Sequence, residues 1–226
     1  MDAITELLRL DAPCPRPQAL AFDGTSLWIG SIETNRLYAV DPNAWTLRDE
    51  IQLPGKPWGM TVAGDEFRVV LGAPETDDRS IVRVIAGHGV HPDGAIACPD
   101  GSGSHLAYDG DRLYLSQWYK QQIVALEDDG TVTSTIALPH QICGVVVAAG
   151  RFYCLTTDDE DSHTYFITRV DARHPKPEIV DIATVDFDAR ALAFDGERFW
   201  TNHREANQTV AFALALSETP RPREPA

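Results

Sequence analysis

What this chain of 226 residues lacks narrows it first. It has no apolar run long enough to span a bilayer. Its opening, Met1-Asp2-Ala3-Ile4-Thr5-Glu6, lacks the basic start and apolar core of a signal peptide. Cysteine is scarce, and Cys14, Cys98, Cys143 and Cys154 show no close paired spacing. Reduced thiols are therefore expected, and with them a cytoplasmic address. Bases are outnumbered, with 19 Lys and Arg against 34 Asp and Glu and a net charge of −15. No basic stripe is available to displace phosphate counterions, which argues against nucleic acid as a partner. The same charge argues against an anionic membrane surface. No segment holds a sustained helical period.

What is there is a repeat. Phe22-Asp23-Gly24 runs into Leu27-Trp28, Tyr108-Asp109-Gly110 into Leu113-Tyr114, and Phe194-Asp195-Gly196 into Phe199-Trp200. Weaker copies are Val62-Ala63-Gly64 before Phe67 and Ala148-Ala149-Gly150 before Phe152. The turn glycines 24, 64, 110, 150 and 196 are spaced by 40, 46, 40 and 46 residues. Units of that size, made of short strands, predict an all-β, five-bladed β-propeller with four-stranded antiparallel blades. Each Asp-Gly reads as a two-residue reversal between first and second strands. The first unit reads as Gln18 to Phe22, Leu27 to Ser31, Arg36 to Asp41 and Thr46 to Leu53. The third reads as Ser104 to Tyr108, Arg112 to Ser116, Gln122 to Glu127 and Thr131 to Leu138.

The fifth unit offers only three strands, Arg190 to Phe194, Glu197 to Asn202 and Gln208 to Leu214. The segment Ile4 to Leu10 is expected to supply the fourth and close the ring, which removes a free sheet edge. An N-terminal helix is the alternative, because Glu6, Leu7, Leu8 and Arg9 are good helix formers. Residues 1–217 are expected to form one domain, followed by a disordered Pro- and Arg-rich tail over 218–226. Trp28, Tyr114 and Trp200 occupy matching positions and read as blade packing. Asn35, Gln121 and Asn207 match as a repeated turn contact.

Inner strands crowd toward the axis, and one aligned series is Ala19, Gly59, His105, Gly144, Ala191. His105 is its one large polar member. Loops leading into inner strands and loops joining second to third strands share one face, where an axial funnel forms a small-molecule site. His105, Glu33, Glu75, His203, Arg190 and Tyr119 are the candidate catalytic residues there. Histidine titrates near neutrality, and Glu33 or Glu75 would orient and tune its ring. Trp58, Trp118, Gln18 and His140 are candidate substrate contacts. Either no cofactor is needed, or Glu33, Glu75, His105 and His203 hold a divalent metal ion. Zinc or thiol chemistry at Cys14, Cys98 and Cys143 is a further alternative, beside simple burial.

The blade text Leu27-Trp28-Ile29-Gly30 followed by Asn35-Arg36-Leu37-Tyr38-Ala39-Val40-Asp41-Pro42 resembles streptogramin lyase and gluconolactonase-type propellers. It is also similar to the glutaminyl cyclotransferase propellers, which are five-bladed and nearer this chain in size. Trp58-Gly59-Met60-Thr61 looks like cyclotransferase text. The resemblance implies a lyase, cyclase or hydrolase acting on a small molecule in the funnel. The alternative is a non-catalytic scaffold that binds a small ligand or a protein on the same face.

Overall fold

The computed structural model describes residues 1–73, 75–76, 78–159, 163–173 and 175–215. The expected disordered tail, 218–226, lies outside them. The chain opens with β1 (Thr5–Asp11). Blade one is β2 (Pro17–Phe22), β3 (Leu27–Ser31), β4 (Arg36–Val40) and β5 (Leu47–Gln52). Blade two is β6 (Lys56–Ala63), β7 (Glu66–Gly72) and β8 (Arg79–Ile85), edged by β9 (Gly89–Val90) and β10 (Ile96–Ala97). Blade three is β11 (Leu106–Tyr108), β12 (Leu113–Gln117), β13 (Gln122–Leu126) and β14 (Val132–Ala137). Blade four is β15 (Gln141–Ala148), β16 (Arg151–Thr157), β17 (Tyr165–Asp171) and β18 (Glu178–Val185). Blade five is β19 (Ala189–Phe194), β20 (Phe199–His203) and β21 (Gln208–Ala213), with β1 on its outer edge. All pairings within the five sheets are antiparallel, and the fold is a five-bladed propeller.

The core is divided by the same geometry. Buried apolar side chains fall into five clusters, each shared by two adjoining blades. Successive residues of a strand point to opposite faces, so one strand serves two clusters. Ala19 and Ala21 face blade two, while Leu20 between them faces blade five. Aromatic pairs bridge the seams: Trp28 to Phe67 at 4.9 Å and Tyr114 to Phe152 at 4.8 Å between centroids. The inner strands approach so closely that a Cβ on Gly59 would lie 2.3 Å from the Ser104 carbonyl oxygen. One on Gly144 would lie 2.5 Å from the Ala191 carbonyl carbon. This crowding is why the axial series is Ala or Gly at every position but His105.

The N-terminal segment is a strand and closes blade five. Asp11 pairs with Gln208 and Thr5 with Ala213, with a register shift between Glu6 and Leu8. A repeated contact confirms its equivalence to the other outer strands. Asn35, Gln121 and Asn207 all have φ between 51° and 54°. Their carbonyls accept from the N–H of Leu53 (2.8 Å), Leu138 (2.7 Å) and Ala12 (2.8 Å) respectively. Backbone pairing thus overrides the helix propensity of Glu6 to Arg9, as tertiary context does.

Two local expectations need correction. Asp23-Gly24 does not form a two-residue turn: Phe22 pairs with Leu27, leaving four residues between the strands. Asp23 is the hub of that loop. Its Oδ1 accepts from the N–H of Thr25 (2.8 Å) and Ser26 (2.7 Å), and its Oδ2 from Trp28 Nε1 (2.7 Å). Asp195 does the same for Glu197, Arg198 and Trp200, and Asp109 for Asp111, Arg112 and the Tyr114 hydroxyl. The weaker copies are true two-residue turns, since Ala63 pairs with Glu66 and Ala148 with Arg151. Such a turn needs no hub, and no Asp precedes its glycine. The second correction is the outer edge of blade two, which is broken into β9 and β10. Gly87, Gly89 and Gly94 lie there at positive φ, and Pro92 offers no N–H.

Candidate functional site

A bulge at the start of each inner strand makes the site. The register shifts between Pro17 and Ala19, Pro57 and Gly59, Ile142 and Gly144, and Arg190 and Ala193. In blade three, Ser104 N–H donates to the Ser116 carbonyl, while Ser116 N–H donates to the carbonyl of His105. Two residues there again share one partner. A bulge breaks the strict alternation of side chains and re-aims one of them. Gln18, Trp58, Ser104 and Arg190, at or beside these bulges, all line one cavity of about 490 Å³. Cys143, the fifth, is fully buried between blades four and five.

The cavity opens on the expected face. Its other lining residues come from the β7–β8 loop and first residue of β8 (Asp78, Arg79), the approach to blade three (Gly101, Ser102, His105), the β12–β13 loop (Trp118, Tyr119) and the β20–β21 loop (Arg204). A second cleft, of about 630 Å³, takes in the β6–β7 and β11–β12 turns, at the opposite ends of their strands. Its arginines are engaged locally: Arg68 and Arg83 with Glu66, and Arg112 with Asp111 at 3.7 Å. The axial cavity is the one where all blades but the fourth present polar or aromatic side chains.

Arg190 is buried, and its Nη1 donates to the Tyr165 hydroxyl (2.6 Å) and the Ala189 carbonyl (2.8 Å). Its guanidinium lies 5.4 Å from the ring centroids of both Trp118 and Tyr165. Arg79 stands 4.2 Å over the Trp58 ring and donates to the Gly103 carbonyl at 2.5 Å. Arg204 donates to Gln18 Oε1 (3.1 Å) and to Glu205 Oε1 (3.2 Å), and Gln18 Nε2 donates to the Trp58 carbonyl (3.3 Å). Burial lowers the pKa of Arg204, and neighbouring Arg190 lowers it further. His105 is 4% exposed. Burial, then the charges of Arg190 and Arg79, hold its pKa down at about 3. The imidazole is therefore neutral at physiological pH, and cations rather than a carboxylate act on it.

Six of the residues singled out in the sequence meet here: His105, Arg190, Tyr119, Trp58, Trp118 and Gln18. Four do not line the cavity. Glu33 is exposed on the β3–β4 loop, and Glu75 is exposed between β7 and β8. His203 packs against Phe187 at 5.1 Å with Arg9 Nη1 3.4 Å from its Nδ1. His140 stacks on Phe166 at 5.2 Å, with Nδ1 2.7 Å from Asp158 and Nε2 3.2 Å from Asp181. Neither glutamate is placed to tune His105. Arg79, Asp78 and Ser102 were not anticipated; Arg79 could have been found as the first residue of a third strand, which begins at the funnel face.

Among the described residues, no three His, Cys, Asp or Glu gather as a metal site. The expected set of Glu33, Glu75, His105 and His203 is dispersed, and an arginine-rich lining does not suit a divalent cation. No disulfide joins the four cysteines. All are buried, in four separate clusters. Burial pushes the thiols of Cys14 and Cys98 up to about 12, and that of Cys154 up as well. Thiols so raised are poor nucleophiles and ligands. No helix among the described residues is long and apolar enough to cross a membrane.

No protein-family model and no curated protein sequence matches the chain. Solved structures do. Glutaminyl cyclase of Myxococcus xanthus superposes with a TM-score of 0.67 at 10% identity, over 94% of this chain and 98% of that one. Virginiamycin B lyase of Staphylococcus aureus gives 0.52 at 14%, over 92% and 98%. Hydrazine synthase of Kuenenia stuttgartiensis gives 0.54 at 15%, over 83% of this chain but only 62% of that one. The first two are of the kinds the blade text resembles. At these identities the likeness is one of fold.

Proposed function

We propose that the protein is a small-molecule enzyme of lyase, cyclase or hydrolase type, with its site in the axial funnel. The observation that carries this is the meeting of a neutral, buried His105 with the buried Arg190, in one cavity that Trp58 and Trp118 also line. The volume of about 490 Å³ suits a small organic molecule. Arg190 is held in place before any ligand arrives. A fixed guanidinium of that kind stabilises negative charge developing on an oxygen or carbon of the substrate. His105, neutral and with its proton affinity depressed by burial, presents a ring nitrogen for hydrogen bonding to the reacting group, and serves as a base only where bound substrate raises that affinity. Trp58 and Trp118 give the cavity apolar walls against which the body of a substrate packs. The names of two fold neighbours, a lyase and a cyclase, agree with this reaction class.

The test is a screen for turnover of small-molecule libraries by mass spectrometry, with the parent protein and His105→Ala in parallel. We expect a substrate whose turnover falls by about 100-fold or more in the variant, while circular dichroism shows an intact fold. Turnover unchanged by His105→Ala, or by Arg190→Gln, overturns the assignment. One observation favours a second reading: Tyr119, at the cavity mouth, is 79% exposed, as a contact residue of a binding scaffold would be. Saturable binding without turnover of any bound compound would favour that reading.

A further inference from the structure

The charge of the funnel runs against the charge of the chain. Acids outnumber bases by 34 to 19 in the whole sequence. Among the described residues lining the cavity, the charged ones are Arg79, Arg190, Arg204 and the single acid Asp78. Gathering like charges in a partly dry site costs free energy, so folds do it mainly where function requires it. Here the cost is visible: Arg190 is 4% exposed, and Arg204 loses proton affinity first to burial and then to Arg190. Two guanidiniums are also held in place, Arg79 over Trp58 and bonded to the Gly103 carbonyl, and Arg190 near Trp118 and bonded to Tyr165 and Ala189. A planar fork held in one orientation matches the paired oxygens of a carboxylate or phosphate.

We propose that the funnel takes a small organic oxyanion, carboxylate or phosphate, held by Arg190, Arg204 and Arg79 with its body against Trp58 and Trp118. This rests on the funnel being the functional site. It also gives the substrate a part in its own chemistry. An anion seated there offsets the two cations that act on His105 and raises the imidazole's affinity for a proton.

The test titrates the protein with benzoate and phenyl phosphate, and with neutral benzamide and cationic benzylamine, by tryptophan fluorescence and calorimetry. At least one of the anions should bind about tenfold or more tighter than benzamide, a difference of about 1.4 kcal/mol. Added salt should weaken the anion and leave benzamide unaffected. Arg204→Gln, in a side chain only 15% exposed, should lower the ratio of anion to benzamide affinity about tenfold. Arg190→Gln should do the same; if it fails to fold, Arg204→Gln alone decides. Benzamide binding as tightly as both anions overturns the oxyanion proposal and leaves the funnel reading standing. So does failure of both anions to bind at millimolar concentration. Anion binding indifferent to both Arg204→Gln and Trp58→Ala places the ligand elsewhere and overturns both readings. The ratio of benzoate to phenyl phosphate affinity separates the two sources of the oxyanion.

Discussion

A single imidazole sits where the ring otherwise admits only Ala or Gly, and its protonation is linked to stability. The folded pKa of His105, about 3, lies below the 6.5 of an unperturbed histidine. Between those values the unfolded chain binds a proton that the folded one does not. Stability is therefore full above the unfolded value and declines as pH falls from about 6.5 toward 3. His203 is shifted in the same sense by burial and the charge of Arg9, so it adds to the loss of stability below about 6.5. His105→Gln should flatten the fall in melting temperature between pH 7 and 4, leaving the His203 share. A variant whose slope equals the parent's would show that His105 is not buried neutral. The special place of His105 was legible because its neighbours in the series are so uniform, and Gly59 and Gly144 show why: backbone of the next blade fills the space a Cβ would need. Its electrostatic surroundings were not legible. The repeat tells which strand ends lie at the funnel face, and so could have pointed to Arg79, but whether a loop residue such as Glu33 turns inward depends on loop conformation, which the repeat spacing does not carry.

At the scale of the element, the three Asp-bearing loops act as small rigid units. Burial pushes the Asp23 and Asp195 carboxyls up, but bonds from the following N–H groups and the indole outweigh it, so both lie below the usual carboxylate range. Asp109 behaves likewise, with the Tyr114 hydroxyl as donor. Their contribution to stability is present above the unfolded value of about 3.9 and is lost as pH falls through the lower folded values. That window lies beneath most of the histidine window, and the two separate in an acid titration. Asp195→Ala strands the indole N–H of the fully buried Trp200 together with two backbone donors. It should cost about 1–3 kcal/mol, measured by urea denaturation. Asp195→Asn, which keeps an acceptor oxygen, should cost less; equal losses would mean that the bonds to Asp195 do not matter. The motif was readable as a repeat because an indole or phenol needs a partner when buried. Its loop length was misread because Asp-Gly also marks two-residue turns.

For the whole molecule, closure rests on β1. Its side chains are mostly exposed, so its hold comes chiefly from the backbone ladder to β21, the Ala12 to Asn207 bond and the Trp45 indole, which donates to the Asp11 carbonyl at 2.7 Å. Removing residues 1–12 strips that ladder and exposes β21 as a free edge. The truncated protein should melt well below the parent and aggregate; an unchanged melting temperature would show that the ring closes without β1. The strand was legible from a deficit, since one unit in five was a strand short, and from Leu53 and Leu138 ending the other outer strands.

The same pairing sets the order of folding. Thr5 meets Ala213, so the first strand of the five sheets pairs with the last, some two hundred residues further along the chain. Blades one to four are built of hairpins that are local in sequence, and each can form as it is made. The fifth cannot be completed until the chain has travelled the full circle and its two ends meet. Such a non-local contact gains its free energy only after the entropy of closing the loop is lost. A circular permutant that joins the present termini and opens the chain between blades one and two would make the fifth blade local. It would move the long-range pairing nowhere else, and it should refold faster than the parent to the same ring.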